Sequence, residues 1–243
     1  MQPLPQDARR IAFFGGSFDP PHLGHLAVAR AAMKALHLDA VLFAPVGAQP
    51  LKPGGASAGF DDRLEMTRLA VAADPGFAVS LADAPLPDRR PNYTLETLRE
   101  MRVRLPAGGE LFCLMGADSF RGLPGWHGAA EIPFVAPLIV AARPNEPLDR
   151  LAEGLPQGLS IEAEVDTCSK SRTPAPEAEI SCYRIRNPRG DEAPFYVLPG
   201  VYVEISATAI RKRLRRSDAR AGGGTRLVPD AVADYIRSHA LYR

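Results

Sequence analysis

The sequence is poor in cysteine and contains a single tryptophan, Trp126. Only three cysteines occur in 243 residues, Cys113, Cys168 and Cys182, and none lies in a C-x-x-C pair or beside a histidine cluster. This pattern argues against a zinc site. We expect three free thiols rather than a disulfide-stabilised fold.

The sequence also lacks long apolar runs and a large net charge of either sign. The longest apolar stretch, residues 132–142, is too short to cross a bilayer and contains Pro133 and Pro137. The N-terminal run Ile11–Phe14 is too short for a signal peptide. Lys plus Arg total 29 against 28 for Asp plus Glu, so the net charge of +1 creates no field that collects nucleic acid or binds a membrane. We therefore expect a cytoplasmic protein without nucleic-acid or membrane partners, in which any anion site is local.

Proline and glycine are abundant and separate alternating strand and helix patterns. Continuous apolar runs typical of buried parallel strands occur at 10–14, 40–44, 77–81, 111–115 and 137–142. Apolar residues recur at helical spacing over 23–36, 63–73, 94–103 and 230–239. Because parallel strands need helical crossovers, the alternation predicts an α/β fold, a Rossmann-like doubly wound parallel sheet in a single domain. Ligands of such sheets bind at the carboxyl ends of the strands.

The pattern dissolves between about residues 161 and 195. This stretch is polar and contains proline, and we interpret it as a surface insertion. The apolar pattern returns at 201–204, which we predict to be a strand. Residues 205–214 are predicted as the end of this strand followed by a helix.

The loop after the first strand reads Gly15-Gly16-Ser17-Phe18-Asp-Pro-Pro-His22-Leu-Gly24-His25. It matches neither G-x-G-x-x-G nor a P-loop. The glycine pair lets a large ligand approach the backbone, and the two histidines share one face of a helix's first turn, where free N–H groups and the dipole favour anions. The loop therefore predicts an anion site, and a glycine inside the helix favours close ligand approach. Two alternatives stay open: metal ligation, for which no third ligand is evident, and ordinary surface histidines.

A second candidate segment is Ile205-Ser206-Ala-Thr208-Ala-Ile-Arg211. Ser206 or Thr208 can cap the new helix, and Arg211 shares a face with Thr208, where it can bind phosphate oxygens. The alternative is a solvated basic helix, which we adopt for the neighbouring cations Lys212, Arg213, Arg215 and Arg216.

Both segments resemble the nucleotidyltransferase superfamily, with its H-x-G-H and I-S-S-T-x-I-R signatures. Five further matches resemble bacterial nicotinate mononucleotide adenylyltransferases: Asn92–Leu98, Met115–Ser119, Pro124–Trp126, Ile139–Pro144 and Leu241–Arg243. The resemblance spans nearly the whole chain except 161–195. It implies the nucleotidyltransferase (HIGH-type) fold and transfer of AMP from ATP to nicotinate mononucleotide, giving deamido-NAD and pyrophosphate in NAD biosynthesis. It also implies that the two segments converge on one polyphosphate.

The resemblance further implies a set of site residues. The catalytic residues would be His22, His25 and Arg211. The ATP site would be formed by Gly15, Gly16, Ser17, Phe18, His22, Gly24, His25, Gly116, Asp118, Ser206, Thr208 and Arg211. The acceptor site would be formed by Lys52, Tyr93, Thr94 and Trp126. Mg²⁺ would bridge the leaving phosphates, with no residue assigned as a metal ligand.

Several alternatives accompany this interpretation. Asp118 could be a helix N-cap, Trp126 a core residue and Lys52 a surface lysine. Leu51 stands where the family often has histidine, and Ala207 replaces the second serine of the helix signature. Rival functions are an adenylyltransferase for nicotinamide mononucleotide or phosphopantetheine, and a non-catalytic nucleotide sensor. The 161–195 stretch is a candidate for self-association.

Overall fold

A sheet of eight strands, counted over the residues that the structure describes, organises the molecule in the order β3-β2-β1-β4-β5-β8-β7-β6. The structure is a computed structural model and describes residues 8–48, 55–88, 90–141, 148–162, 180–198, 205–216 and 227–243. The strands are β1 Arg10–Gly16, β2 Ala40–Pro45, β3 Phe77–Val79, β4 Glu110–Gly116, β5 Leu138–Ala141, β6 Ser160–Glu162, β7 Ser181–Arg186 and β8 Glu192–Leu198. In this spatial order, the neighbouring pairs among β3, β2, β1, β4, β5 and β8 are parallel. Strand β7 pairs antiparallel with both β8 and β6.

Helices connect the parallel strands. They are α1 Leu23–Leu36, α2 Phe60–Val71, α3 Thr94–Val103, α4 Ala117–Arg121, α5 Ile132–Val135, α6 Leu148–Ala152, α7 Ala207–Arg216 and α8 Asp230–Ser238, with 3-10 turns at Leu123–Gly125 and Ala129–Glu131. The strands and helices predicted from apolar spacing are present, with shifts of a few residues at their ends. Within the described ranges, no helix is long and apolar enough to cross a bilayer.

Both faces of the sheet are buried, as the continuous apolar runs predict. In β1, Phe13 packs on the face covered by α3, whereas Phe14 packs on the opposite face with α1, α2 and α8. Side chains of a strand alternate between faces, so a strand that is apolar on every residue needs helices on both sides. The doubly wound arrangement therefore follows from the sequence of the strands.

The chain reverses its direction across the sheet beside β1. It runs from β1 to β2 and β3 on one side, then returns to β4 and β5 on the other. The carboxyl ends of β1 and β4 consequently border a crevice, which is where open α/β sheets bind ligands.

The interpretation of 161–195 as a surface insertion is wrong for residues 181–195. Strands β7 and β8 extend the sheet, and Ile185 and Phe195 are fully buried. Apolar residues alternate with polar ones here, which is the pattern of an antiparallel strand and differs from the continuous runs earlier in the chain. The hairpin turn also has a sequence signal, because Asn187 accepts hydrogen bonds from the N–H groups of Arg189 and Asp191 and Gly190 has a φ of +86°. Residues 163–179 and the strand predicted at 201–204 lie outside the described residues.

Cys113 and Cys182 lie within the described residues, whereas Cys168 lies outside them. Cys182 is disulfide-bonded, so the prediction of three free thiols is wrong for this residue. Cys113 is a buried free thiol in β4, and burial raises its pKa to about 12.

Candidate active site

The first loop begins where β1 ends, at the crevice. A Cβ on Gly15 would lie only 2.8 Å from Cε1 of Phe13, and one on Gly16 would lie 3.2 Å from Cζ of Phe18. A side chain at either position would therefore crowd a phenylalanine ring, and glycine also leaves the backbone open to the cavity that both residues line.

The two histidines form a stacked pair at the start of α1. His22 is the N-cap residue, and its ring lies over that of His25 with centroids 3.6 Å apart and planes 22° from parallel. The backbone N–H of His22 donates to Nδ1 of His25 at 3.1 Å. Because Nδ1 accepts this hydrogen bond, the neutral His25 ring carries its proton on Nε2, which makes Nε2 a donor.

Both imidazoles are neutral at pH 7. Burial lowers the pKa of His22 to about 4. The pKa of His25 is also lowered, by burial first and by the charge on His22 second. Among the buried side-chain nitrogen and oxygen atoms of the described residues, Nδ1 of His22 alone has no hydrogen-bond partner. Unpaired buried polar atoms are rare because they cost free energy, so this atom indicates a site for a ligand or water.

The second segment reaches the same place from the other end of the chain. Oγ of Ser206 accepts a hydrogen bond from the N–H of Ala209 at 3.1 Å, so Ser206 rather than Thr208 caps α7. Arg211 donates from Nη1 to the carbonyl oxygen of Asp19 at 2.6 Å and from Nη2 to Oγ1 of Thr208 at 3.3 Å. The guanidinium thus touches the first loop directly.

One cavity of about 950 Å³ is lined by both segments. The predicted ATP-site residues within the described ranges all line it: Gly15, Gly16, Ser17, Phe18, His22, Gly24, His25, Gly116, Asp118, Ser206, Thr208 and Arg211. Tyr93, Thr94 and Trp126 also line this cavity. Lys52 and Leu51 lie outside the described residues. The convergence of the two distant segments is therefore present in the structure.

The structure decides among several alternatives for single residues. Asp118 is the second residue of α4, whose N-cap is Gly116, so Asp118 is not a cap; its carboxylate pairs with Arg121 at 3.1 Å. Trp126 is partly buried against the core and also lines the cavity. Lys212, Arg213 and Arg215 are exposed, as expected for a solvated face.

The chain has relatives of similar length and sequence. The family described as cytidylyltransferase-like matches residues 13–213. A protein of Thermus thermophilus named probable nicotinate-nucleotide adenylyltransferase is 38% identical over 237 residues, covering 96% of this chain and 100% of the relative. A protein of Citrifermentans bemidjiense with the same name is 35% identical over 234 residues, covering 96% and 98%. The chain belongs to the nicotinate-nucleotide adenylyltransferase family.

Solved structures share the fold of this family member. The nicotinic acid mononucleotide adenylyltransferase of Plasmodium falciparum complexed with NaAD aligns with a TM-score of 0.64 at 14% identity, covering 96% of each chain. The same protein complexed with APC aligns with a TM-score of 0.62 at 13% identity, covering 96% of this chain and 97% of that one. The predicted nucleotidyltransferase fold is confirmed.

Sequence reasoning missed a buried carboxyl group in the adenylyltransferase cavity. Asp83 lines the cavity just beyond β3, is 3% exposed and accepts a hydrogen bond from Oγ1 of Thr97 at 2.5 Å. Burial raises its pKa to about 6, against the opposing effect of the Thr97 hydrogen bond. The available signal was position, because an acidic residue just after a parallel strand lies at the ligand-binding edge.

The loop before α3 is held by a second missed residue. Asn92 accepts a hydrogen bond from the N–H of Ala48 at 3.1 Å and donates to the carbonyl oxygen of Ala84 at 2.9 Å. These bonds fix the approach to Tyr93, whose ring centroid lies 4.5 Å from that of His127. Both of these rings line the cavity, so together they give it an aromatic wall.

Metal chemistry was tested against the donor set. Over the described ranges, no group of three or more His, Cys, Asp or Glu residues could hold a metal ion. His22 and His25 contact each other and the surrounding aromatic rings, with the Phe18 ring centroid 5.0 Å from that of His25. Family members generally use a divalent metal with ATP, and here such an ion would enter with the nucleotide as substrate, held by the oxygens of the nucleotide rather than by a cluster of protein ligands.

Proposed function

We propose that this chain transfers the adenylyl group of ATP to nicotinate mononucleotide, with His22, His25 and Arg211 contacting the phosphates. The observation that carries this proposal is the meeting of the histidine loop and α7 at one cavity. Relatives bearing this activity in their names match over nearly the whole chain, which supports the same reaction here.

The reaction needs no general base in this arrangement. A phosphate oxygen of the mononucleotide attacks the α-phosphorus of ATP, the bond to the bridging oxygen breaks, and its electron pair leaves with pyrophosphate. Because the nucleophile is already ionised at neutral pH, catalysis is a matter of positioning and charge stabilisation. Nε2–H of His25 and the guanidinium of Arg211 supply donors where negative charge develops.

The meeting of the histidine loop and α7 at one cavity also supports the remaining contacts proposed for ATP. The backbone N–H groups of Gly16 and Thr208 donate toward phosphates, and Asp118 accepts from ribose hydroxyls. Mg²⁺ would enter with ATP as the MgATP substrate and would supply charge stabilisation to the leaving pyrophosphate.

The acceptor occupies the aromatic part of the cavity. Trp126 stacks on the pyridine ring, and Tyr93 and Thr94 line the same pocket. The acceptor contact of Lys52 stays a prediction, because Lys52 lies outside the described residues. Stacking on an aromatic side chain stabilises a bound base by about 1–3 kcal/mol. Backbone N–H groups that line this acceptor pocket donate hydrogen bonds to the nicotinate carboxylate.

Pyrophosphate release tests the reaction. With MgATP and nicotinate mononucleotide, the enzyme should release one pyrophosphate for each deamido-NAD formed. Tight binding of both nucleotides without release would support a nucleotide sensor instead. Turnover of nicotinamide mononucleotide or phosphopantetheine equal to that of nicotinate mononucleotide would remove the acceptor assignment.

Three further proposals concern domain organisation, location in the cell and self-association. The chain acts as a single domain, it works in the cytoplasm, and it is a candidate for self-association. Limited proteolysis, cell fractionation and sedimentation velocity test these predictions in turn.

A further inference from the structure

The first loop is held in place by a buried carboxylate, Asp19, which is 4% exposed. Its Oδ2 accepts from the N–H of Ser57 at 2.6 Å, and its Oδ1 accepts from the N–H of Ala58 at 3.1 Å. The phenol of Tyr242 donates to Oδ1 at 2.7 Å, although the two residues are 223 positions apart. The end of the chain therefore reaches into the support of the first loop.

Arg211 depends on the same residue. Nη1 of Arg211 donates to the carbonyl oxygen of Asp19 at 2.6 Å and lies 3.7 Å from Oδ2 of its carboxylate. The second nitrogen contacts Thr208, so two fixed partners define the plane of the guanidinium. A guanidinium has five N–H donors, and those not used on Asp19 and Thr208 remain for a phosphate.

The backbone around this contact is strained. Phe18 and Tyr242 have φ values of +46° and +65°, and Ala240 has +54°. Residues other than glycine avoid this left-handed region, and they persist in it only where the surroundings hold them there. Two of these residues are in the last turn of the chain and the third adjoins Asp19. The strain therefore coincides with the contact that joins the two segments.

Tyr242 is suited to act as a neutral donor. Its side chain is buried, and burial, with Asp19 as the second cause, raises its pKa far above neutrality. A second buried cation, Arg63, donates to the carbonyl oxygen of Ser17 at 2.8 Å and completes the support of the loop. A hydrogen bond from a neutral donor to a buried carboxylate is of the charge-assisted kind, which fixes geometry strongly.

We infer that Tyr242 is a positioning residue: its hydroxyl holds the Asp19 carboxylate, and Asp19 holds the Arg211 guanidinium at the phosphate end of the cavity. This inference rests on the proposed role of Arg211. It gives a role to Tyr242, whose segment Leu241–Arg243 matches the family without an assigned function, because the placement of Arg211 then depends on this hydroxyl.

The test compares two tyrosines. Tyr242→Phe removes the hydroxyl and keeps the ring. Tyr235→Phe is the matched control, because the hydroxyl of Tyr235 donates to Oδ1 of Asp62 at 3.1 Å, away from the cavity. Turnover is measured with saturating MgATP and nicotinate mononucleotide, together with the KM of each substrate and the melting temperature. We expect Tyr242→Phe to lower kcat about tenfold with the acceptor KM changed less than twofold, and Tyr235→Phe to leave kcat unchanged.

A double-mutant cycle separates positioning from general destabilisation. In an Arg211→Ala background, followed by release of radiolabelled pyrophosphate, Tyr242→Phe should lower kcat by less than a further twofold. An equal loss with and without Arg211 would overturn the inference, and so would a lower melting temperature with unchanged kcat. If Arg211→Ala alone left kcat unchanged, the proposed role of Arg211 itself would fail.

A second variant covers the case in which Tyr242→Phe does not fold. Asp19→Asn keeps the size of the side chain and, with its amide oxygen at the Oδ1 position, the acceptor for Tyr242 and Ala58. It removes the charge that faces Arg211 and the acceptor that Oδ2 offers to the N–H of Ser57. We expect the same loss of kcat and the same absence of further loss in the Arg211→Ala background. A loss that is additive with Arg211→Ala would contradict the inference.

Discussion

At the scale of single residues, the proposed chemistry centres on a neutral, stacked pair of imidazoles. The ring centroids of His22 and His25 lie 3.6 Å apart, and the hydrogen bond to Nδ1 of His25 fixes which nitrogen donates. A pair of charged rings at this distance would repel, and burial prevents that by keeping both rings neutral. Both rings can therefore donate hydrogen bonds to a bound polyphosphate without first changing their protonation state.

The role of His25 predicts a kinetic signature. His25→Ala should lower kcat about a hundredfold, with a much smaller rise in the KM for ATP, because the donor matters most as charge develops in the transition state. His239→Ala, a change at the C-cap of α8 and outside the cavity lining, is the control and should leave kcat unchanged. A raised KM for ATP with unaltered kcat would mean that the imidazole only anchors the substrate.

Burial of His22 predicts a pH dependence of stability. The pKa of His22 falls from 6.5 in the unfolded chain to about 4 in the folded protein. The unfolded state therefore binds more protons between these values, and stability is lost as pH falls from 6.5 to 4, by up to about 3 kcal/mol.

The measurement is urea unfolding at several pH values for the wild type and His22→Gln. Asp83, with its pKa raised from 3.8 to about 6, acts in the opposite direction but is common to both proteins. The free energy of unfolding should fall less steeply toward low pH in His22→Gln. Parallel pH profiles for the two proteins would contradict the assignment.

The acceptor pocket makes its own prediction. Trp126→Ala should raise the KM for nicotinate mononucleotide at least about tenfold through loss of stacking, while the KM for ATP changes little. Steady-state kinetics with each substrate varied in turn provides the measurement. An unaltered acceptor KM would leave Trp126 with its packing role against the core alone.

At the scale of secondary-structure elements, the sequence predicts the helices and strands whose apolar residues recur at regular spacing. Helix α1 and helix α3 begin and end at the predicted residues, and five apolar runs form parallel strands. The hairpin of β7 and β8 was missed because Pro194 and alternating polar residues do not resemble a doubly buried strand. Its signal was the turn after β7 rather than the apolarity of its strands.

That turn gives a stability prediction. A Cβ on Gly190 would meet nothing within 4 Å, so a substitution there reports only on the φ of +86°. Gly190→Ala should lower the free energy of unfolding by about 1–2 kcal/mol. Gly190→Asn, whose side chain tolerates left-handed backbone, should cost less. Equal losses for the two variants in urea unfolding would argue against this turn conformation.

At the scale of the whole molecule, the site is made by contacts that no local pattern contains. The motifs predict that the histidine loop and Arg211 meet, through resemblance to a family. They do not predict that Arg211 donates to the backbone carbonyl of Asp19 within the histidine loop, or that Tyr242 donates to the Asp19 carboxylate, because such contacts depend on how distant segments pack after folding. Asp83 has a positional signal just after β3, and Asn92 lies in a segment that matches the family, but the sequence does not indicate that they contact Thr97, Ala48 and Ala84.

The central claim is that two distant segments of the chain hold one triphosphate. The most direct measurement is a crystal structure with a non-hydrolysable ATP analogue, Mg²⁺ and nicotinate mononucleotide. The account predicts that Nε2 of His25 and the guanidinium of Arg211 lie within hydrogen-bond distance of the same polyphosphate, with the pyridine ring on Trp126. A triphosphate bound by the histidine loop while Arg211 contacts only protein atoms would contradict it.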